Sequence, residues 1–126
     1  MRINRRISLF MAASAFALAS SAAVAQDKQP FRISMIVAKT GVLATVLGPA
    51  GTGFEAYIDQ VNGKGGINGR KIVLDQMDEQ SAPNVAAAHF QRVLSDPPNA
   101  VVFFGQSTSQ TQSRQLLASA GLPILA

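Results

Sequence analysis

The 126-residue sequence contains no cysteine and no tryptophan, and only one histidine and one tyrosine. Without cysteine there is no disulfide scaffold, no cysteine-ligated zinc finger and no lipid anchor attached through a thiol. Charged residues make up 14% of the chain, too few for a coiled coil. Apolar residues dominate at 48%, although aromatics account for only 6%. The formal charge of +4 raises nucleic acid as a partner until the basic residues are located.

Three of them, Arg2, Arg5 and Arg6, precede an apolar run from Ile7 to Ala19 and a small-residue stretch that ends in Ala23, Val24 and Ala25. This is the layout of a secretory signal peptide over residues 1–25, with cleavage expected between Ala25 and Gln26. The apolar run is 13 residues long. A bilayer-spanning helix needs roughly 20, so no stable membrane insertion is expected. Adjacent Arg5 and Arg6 suggest twin-arginine export, but Ser8 stands where that signal wants an apolar residue, and the Sec route is expected. Removing the leader leaves eight basic against seven acidic residues, a net of +1, and the case for nucleic acid goes with it. A free periplasmic protein follows.

Beyond the leader, short apolar runs alternate with helical stripes. Phe31–Ala38, Arg70–Met77, Ala100–Phe104 and Leu122–Ala126 have strand character. Between them, Phe54, Tyr57, Ile58 and Val61 mark one helix face and Ala86, Phe90, Val93 and Leu94 another, while Leu116, Leu117 and Ala120 end a third helix. Glycines 65, 66 and 69 with Asn68 form a tight turn that suits positive φ. Asp96, Pro97 and Pro98 stop the second helix. The order βαβαβαβ predicts an α/β fold, a doubly wound parallel sheet. The sequence stops inside its fourth apolar run, which is expected of a truncated piece, residues 26–126, rather than of a finished sheet.

In such sheets the strand-to-helix turns offer free backbone N–H groups and a helix dipole to an anion. Two turns qualify: Thr40–Gly48, and Gly105–Thr111 with the hydroxyls of Ser107, Thr108 and Ser109. These groups suit a small carboxylate. The acidic cluster Asp75, Asp78 and Glu79 has no histidine or cysteine beside it, so no metal site is expected and the acids are assigned to capping of the next helix, with Ser81 or Asp78 as its cap.

Five segments in order carry a resemblance: FRISMIVAKTGVLATVLG, IDQVNGKGGINGRKIVL, DEQSAPNVAAAHFQRVLSD, VVFFGQSTSQT and AGLPILA. The most specific is N-x-x-G-G-I-N-G-R-K-I, Asn62–Ile72, lying between a helix and a strand. The chain resembles the N-terminal portion of the type I periplasmic binding proteins of the leucine-binding kind, the substrate-binding components of branched-chain amino acid ABC transporters. The resemblance implies part of the first of two lobes that close on an amino acid or small carboxylate and present it to a membrane permease. It implies no cofactor and no enzymatic activity. It places the ligand's carboxylate at Ser107, with Thr108 and Ser109 as neighbours, although a turn shorter than usual leaves Ser107 and Ser109 unseparated. Val46 or Leu47 would meet the ligand's side chain. The first loop departs from the pattern, with Val42 where proline is usual.

Two other chemistries fail on the residues. Gly105-Gln106-Ser107-Thr108-Ser109 approaches the G-x-S-x-G elbow of serine hydrolases, but Ser109 replaces its second glycine and no histidine follows. His89 precedes it and is expected to be a solvated surface residue. Gly51 and Gly53 lack the third glycine of a dinucleotide fingerprint. A ligand-sensing receptor domain of the same fold is the alternative function, since fold does not separate transport from sensing.

Overall fold

A computed structural model describes residues 28–126, and the expected leader, residues 1–25, lies outside them. The elements run β1 (Phe31–Val37), α1 (Ala44–Gly63), β2 (Ile72–Asp78), α2 (Pro83–Ser95), β3 (Ala100–Phe104), α3 (Ser107–Ser119) and β4 (Ile124–Leu125). All pairings are parallel and the strand order is β2-β1-β3-β4. The doubly wound sheet expected from the alternation is therefore present.

Successive side chains of a strand point to opposite faces, and the core divides accordingly. Ile36, Val101 and Phe103 pack with Phe90 and Val93 of α2 and Leu117 of α3. Met35, Val37 and Val102 point the other way, against Ile58 of α1. Helix α1 thus covers one face, while α2 and α3 cover the other. Strands β1 and β3 are neighbours whose following helices leave to opposite sides, which makes the gap between their C-terminal ends the topological switch point of the sheet.

The first helix departs from expectation. It begins at Ala44, ten residues before the apolar stripe, and takes in Gly48, Pro49, Gly51 and Gly53. Gly51 explains why helix wins over loop: it is buried against β1, where a Cβ would lie 3.0 Å from Val37 Cγ2. A glycine that looks like a loop breaker is instead the point of closest approach of helix to sheet. The stripe is also narrower than expected, because Tyr57 is 59% exposed. At the other end of α1, the Asn62 amide accepts from the Ile72 backbone N–H at 2.7 Å and donates to the Ile72 carbonyl at 2.8 Å. This pair fixes the glycine-rich turn between them, where Gly65, Gly66, Asn68 and Gly69 all have positive φ.

Strand β2 starts at Ile72, two residues later than expected, because Arg70 turns back to donate to the Gln29 carbonyl at 2.7 Å and to lie over the Phe31 ring. The fourth strand is confined to Ile124–Leu125. Pro83 opens α2, as its missing N–H allows.

Candidate functional site

Val37 and Phe104, the last residues of β1 and β3, are paired in register, so the β1–α1 and β3–α3 loops start side by side at the switch point. The end of β2 lies next to them. Hydrogen bonds tie the three loops into one rim.

Asp78 holds the first loop. Its carboxylate accepts from the backbone N–H of Lys39 at 2.9 Å and of Thr40 at 3.2 Å, from the Thr40 hydroxyl at 2.7 Å, and from the N–H of Gln80 at 2.9 Å. Burial alone would raise its pKa, but these donors together outweigh it and hold the carboxyl below the usual aspartate value. Ser81 adds a second clasp: its hydroxyl accepts from the Leu43 N–H at 3.0 Å and donates to the Thr40 carbonyl at 3.0 Å. Space is so limited that a Cβ on Gly41, at φ +86°, would fall 2.4 Å from the Gln80 carbonyl oxygen. Gln80 and Ser81 both have positive φ, of 56° and 55°, a conformation that costs a non-glycine residue about 1 kcal/mol or more. The rim is therefore a strained turn held by polar contacts.

The expectation that Asp78 or Ser81 caps α2 is corrected by this arrangement. The cap position is Ala82 and no side chain caps the helix. Both residues are spent on the β1–α1 loop instead. His89 is corrected as well: it is half-buried, and its Nε2 sits 2.9 Å from the Asp78 carbonyl oxygen. It ties α2 to the end of β2. The third acid, Asp75, forms an exposed pair with Arg92 at 3.2 Å. No group of three or more candidate metal ligands occurs among the described residues.

Across the switch point, α3 begins at Ser107 with Gln106 in the cap position and no side-chain cap. The first N–H groups of a helix lack intrahelical acceptors, so this terminus offers donors. Ser107 and Thr108 are exposed there. Ser109 is not: it is 3% exposed, and its unpartnered hydroxyl faces a cavity of about 240 Å³ between α2 and α3, lined also by Pro83, Phe90, Ser113 and Leu116. The helical turn that sequence could not resolve thus separates the two serines, with Ser107 on the rim and Ser109 turned toward α2. Val46 and Leu47 are not in a loop as expected but in the first turns of α1, Val46 70% exposed and Leu47 half-buried.

Sequence reasoning missed Glu79. It is completely buried, with one carboxyl oxygen accepting from the Gln106 N–H at 3.3 Å and the other unpartnered. The signal was two consecutive acids at the C-terminal end of a strand, where one side chain faces out and the next must face in.

A doubly wound parallel sheet with an uncapped helix terminus at its switch point is the arrangement at which open α/β sheets commonly bind ligands. The profile of the periplasmic binding protein family matches residues 30–126, and the chain belongs to that family. Among solved structures it is similar to the branched-chain amino acid transporter substrate-binding protein LivJ of Streptococcus pneumoniae in complex with isoleucine (TM-score 0.68, 24% identity, 75% of this chain and 28% of that one). It is similar also to an extracellular ligand-binding receptor from Verminephrobacter eiseniae (0.66, 26%, 76% and 28%) and to a fatty acid ABC transporter substrate-binding protein from Thermomonospora curvata (0.66, 21%, 75% and 24%). The sequence spans about a quarter of the length of these structures. No curated protein matches it. The resemblance to leucine-binding-type proteins and the type I fold expected from it both hold. No helix among the described residues is long and apolar enough to cross a membrane.

Proposed function

We propose that the chain is the first-lobe portion, residues 26–126, of an exported solute-binding component of an ABC importer, and that it binds an amino acid or similar small carboxylate without covalent chemistry. The observation that carries this reading is the open N-terminus of α3, with the exposed Ser107 hydroxyl beside it, on the rim of the switch point. Amides and a hydroxyl converging on one place are matched to a carboxylate in charge and geometry. Val46, exposed in the first turn of α1, would offer an aliphatic surface to the solute's side chain. The membrane permease is the expected partner and the periplasm the expected location.

Isothermal titration calorimetry of the whole secreted protein against L-amino acids and small fatty acids tests the reading. Ser107→Ala removes one donor to a charged group and is expected to weaken binding of the accepted solute by about 1–3 kcal/mol. That is about 5- to 150-fold in Kd. An unchanged affinity would leave the carboxylate on the backbone amides alone. Residues 26–126 by themselves are expected to bind far more weakly than the whole protein, since one wall of the cleft is absent.

Ligand sensing is the second reading, favoured by the likeness to the Verminephrobacter eiseniae receptor. Co-purification from membranes distinguishes the two: a permease partner supports import, and a signalling protein supports sensing.

A further inference from the structure

Fully buried ionisable side chains are rare unless they are paired, and Glu79 is fully buried with no salt-bridge partner among the described residues. Its surroundings are Phe103, whose ring lies against the same loop, the backbone of Gly105 and Gln106, and the end of β2. A Cβ on Gly105 would meet Glu79 Cδ at 2.7 Å and the Phe103 ring at 2.3 Å, so the carboxyl lies directly beneath the β3–α3 loop. Among the described residues, the carboxyl's only hydrogen bond is the one from the Gln106 N–H. Gln106 immediately precedes Ser107 and is held a second time through its side-chain amide, which donates to the Ser81 carbonyl at 2.8 Å.

We propose that Glu79 is a positioning residue for the solute site: by holding the Gln106 N–H it sets the peptide that aims Ser107 and the first turn of α3. This inference rests on the binding reading given above. It extends the reading because Asp78 does the same for the opposite loop. One dipeptide, Asp78–Glu79, with side chains pointing outward and inward from the end of β2, determines both walls of the switch point.

The two acids respond to pH in opposite senses. Burial pushes Glu79 up from its ordinary value, the Gln106 N–H opposes this, the Asp78 charge adds to it and His89 opposes it. Asp78 on β2 and His89 on α2 are the charged or titratable groups acting on it, and Phe103, Gly105 and Gln106 on the β3 side carry no charge. A folded-state value above the unfolded one means that stability from Glu79 is full below the ordinary glutamate range and is lost as pH rises through the raised value. The N–H···carboxyl bond, by contrast, strengthens on ionisation. The loop is thus held more tightly in the pH range in which the acid is less comfortable.

The test is NMR on the ¹³C,¹⁵N-labelled whole protein between pH 4 and pH 8. The Gln106 amide proton is expected to move downfield with a midpoint that coincides with that of the Glu79 ¹³Cδ resonance and lies above the usual glutamate range. Glu79→Gln keeps the volume and an acceptor oxygen, and is expected to abolish that inflection and to raise the melting temperature more at pH 8 than at pH 4. A Gln106 amide without the inflection, or with one whose midpoint differs from that of Glu79, overturns the proposal, and the wild-type comparison decides this even if the variant does not fold. Titration with L-leucine separates the two claims. If the amides of Ser107 and Thr108 stay unmoved while the pH inflection is present, the amino-acid reading fails and the positioning role stands. If they move but the inflection is absent, the positioning role fails alone.

Discussion

Phe103→Ala is expected to lower the unfolding free energy by about 4 kcal/mol. The residue lies on β3, a strand paired on both sides, and its side chain is buried in one cluster with Ile36, Met77, Phe90 and Leu117. Its ring meets Phe90 edge to face at 5.3 Å between centroids, a geometry that contributes about 1 kcal/mol beyond burial. The surrounding residues sit on rigid strands and helices and cannot close the space, so a cavity term adds to the lost transfer term. Small domains are stable by about 5–15 kcal/mol in total, and the loss is a large part of that. Urea unfolding of wild type and variant measures it. A loss below about 2 kcal/mol, under the usual range for an aromatic truncated to alanine, would mean that the face covered by α2 and α3 repacks around the missing ring.

Asp78→Ala is expected to cost about 3 kcal/mol, with more of the loss falling on the first loop than on the core. Hydrogen bonds to a charged acceptor are worth about 1.5–3 kcal/mol each. The four made by Asp78 share one half-buried carboxylate and do not add in full. Without it, the Gln80–Ser81 turn loses the contact that offsets its positive φ, and the β1–α1 loop loses three of its anchors. The pH dependence follows from the depressed pKa. Stability from Asp78 is present above the ordinary aspartate value and is lost as pH falls through the lower folded value. The gap between wild type and Asp78→Ala is therefore expected to be full at pH 7 and to narrow at strongly acid pH, where the protonated carboxyl keeps only a neutral acceptor. Asp78→Asn keeps an oxygen acceptor for the amides and is expected to cost only about 1 kcal/mol, the worth of a neutral bond lost or weakened. Equal losses for alanine and asparagine at pH 7 would show that the charge, rather than the hydrogen-bond geometry, holds the loop. Amide exchange at Lys39 and Thr40 provides the local readout.

The fold was legible because its main signals are periodic. AVVFF, apolar at every position, announces a strand covered on both faces, and Ala86, Phe90 and Val93 repeat at helical spacing; both readings match the structure. Failures occurred where a residue's role depends on what lies across space. Gly48, Pro49, Gly51 and Gly53 have the composition of a loop, and only the proximity of Val37 shows why a helix needs a glycine there. Asp78 and Ser81 have the chemistry of helix caps, but their acceptor groups find better-placed donors 38 or 39 residues upstream, in Lys39, Thr40 and Leu43. Ser107 and Ser109 are equivalent as letters, and two steps along a helix rotate one of them out of the crevice. Glu79 was legible only as part of an acidic cluster, since local sequence does not reveal that the neighbouring loop closes over it.

The three tied loops also have a mechanical consequence. A rim cross-braced by Asp78, Ser81, Gln106 and Glu79 and backed by a helix seated on Val37 has little freedom to move toward a solute. If the proposed two-lobed protein closes on its solute, this wall would be the stator and the displacement would belong to whatever faces it. On the binding reading proposed above, the ordering of these donors would be completed during folding, so a solute would meet amides already aimed and little conformational entropy would remain to be lost on this side.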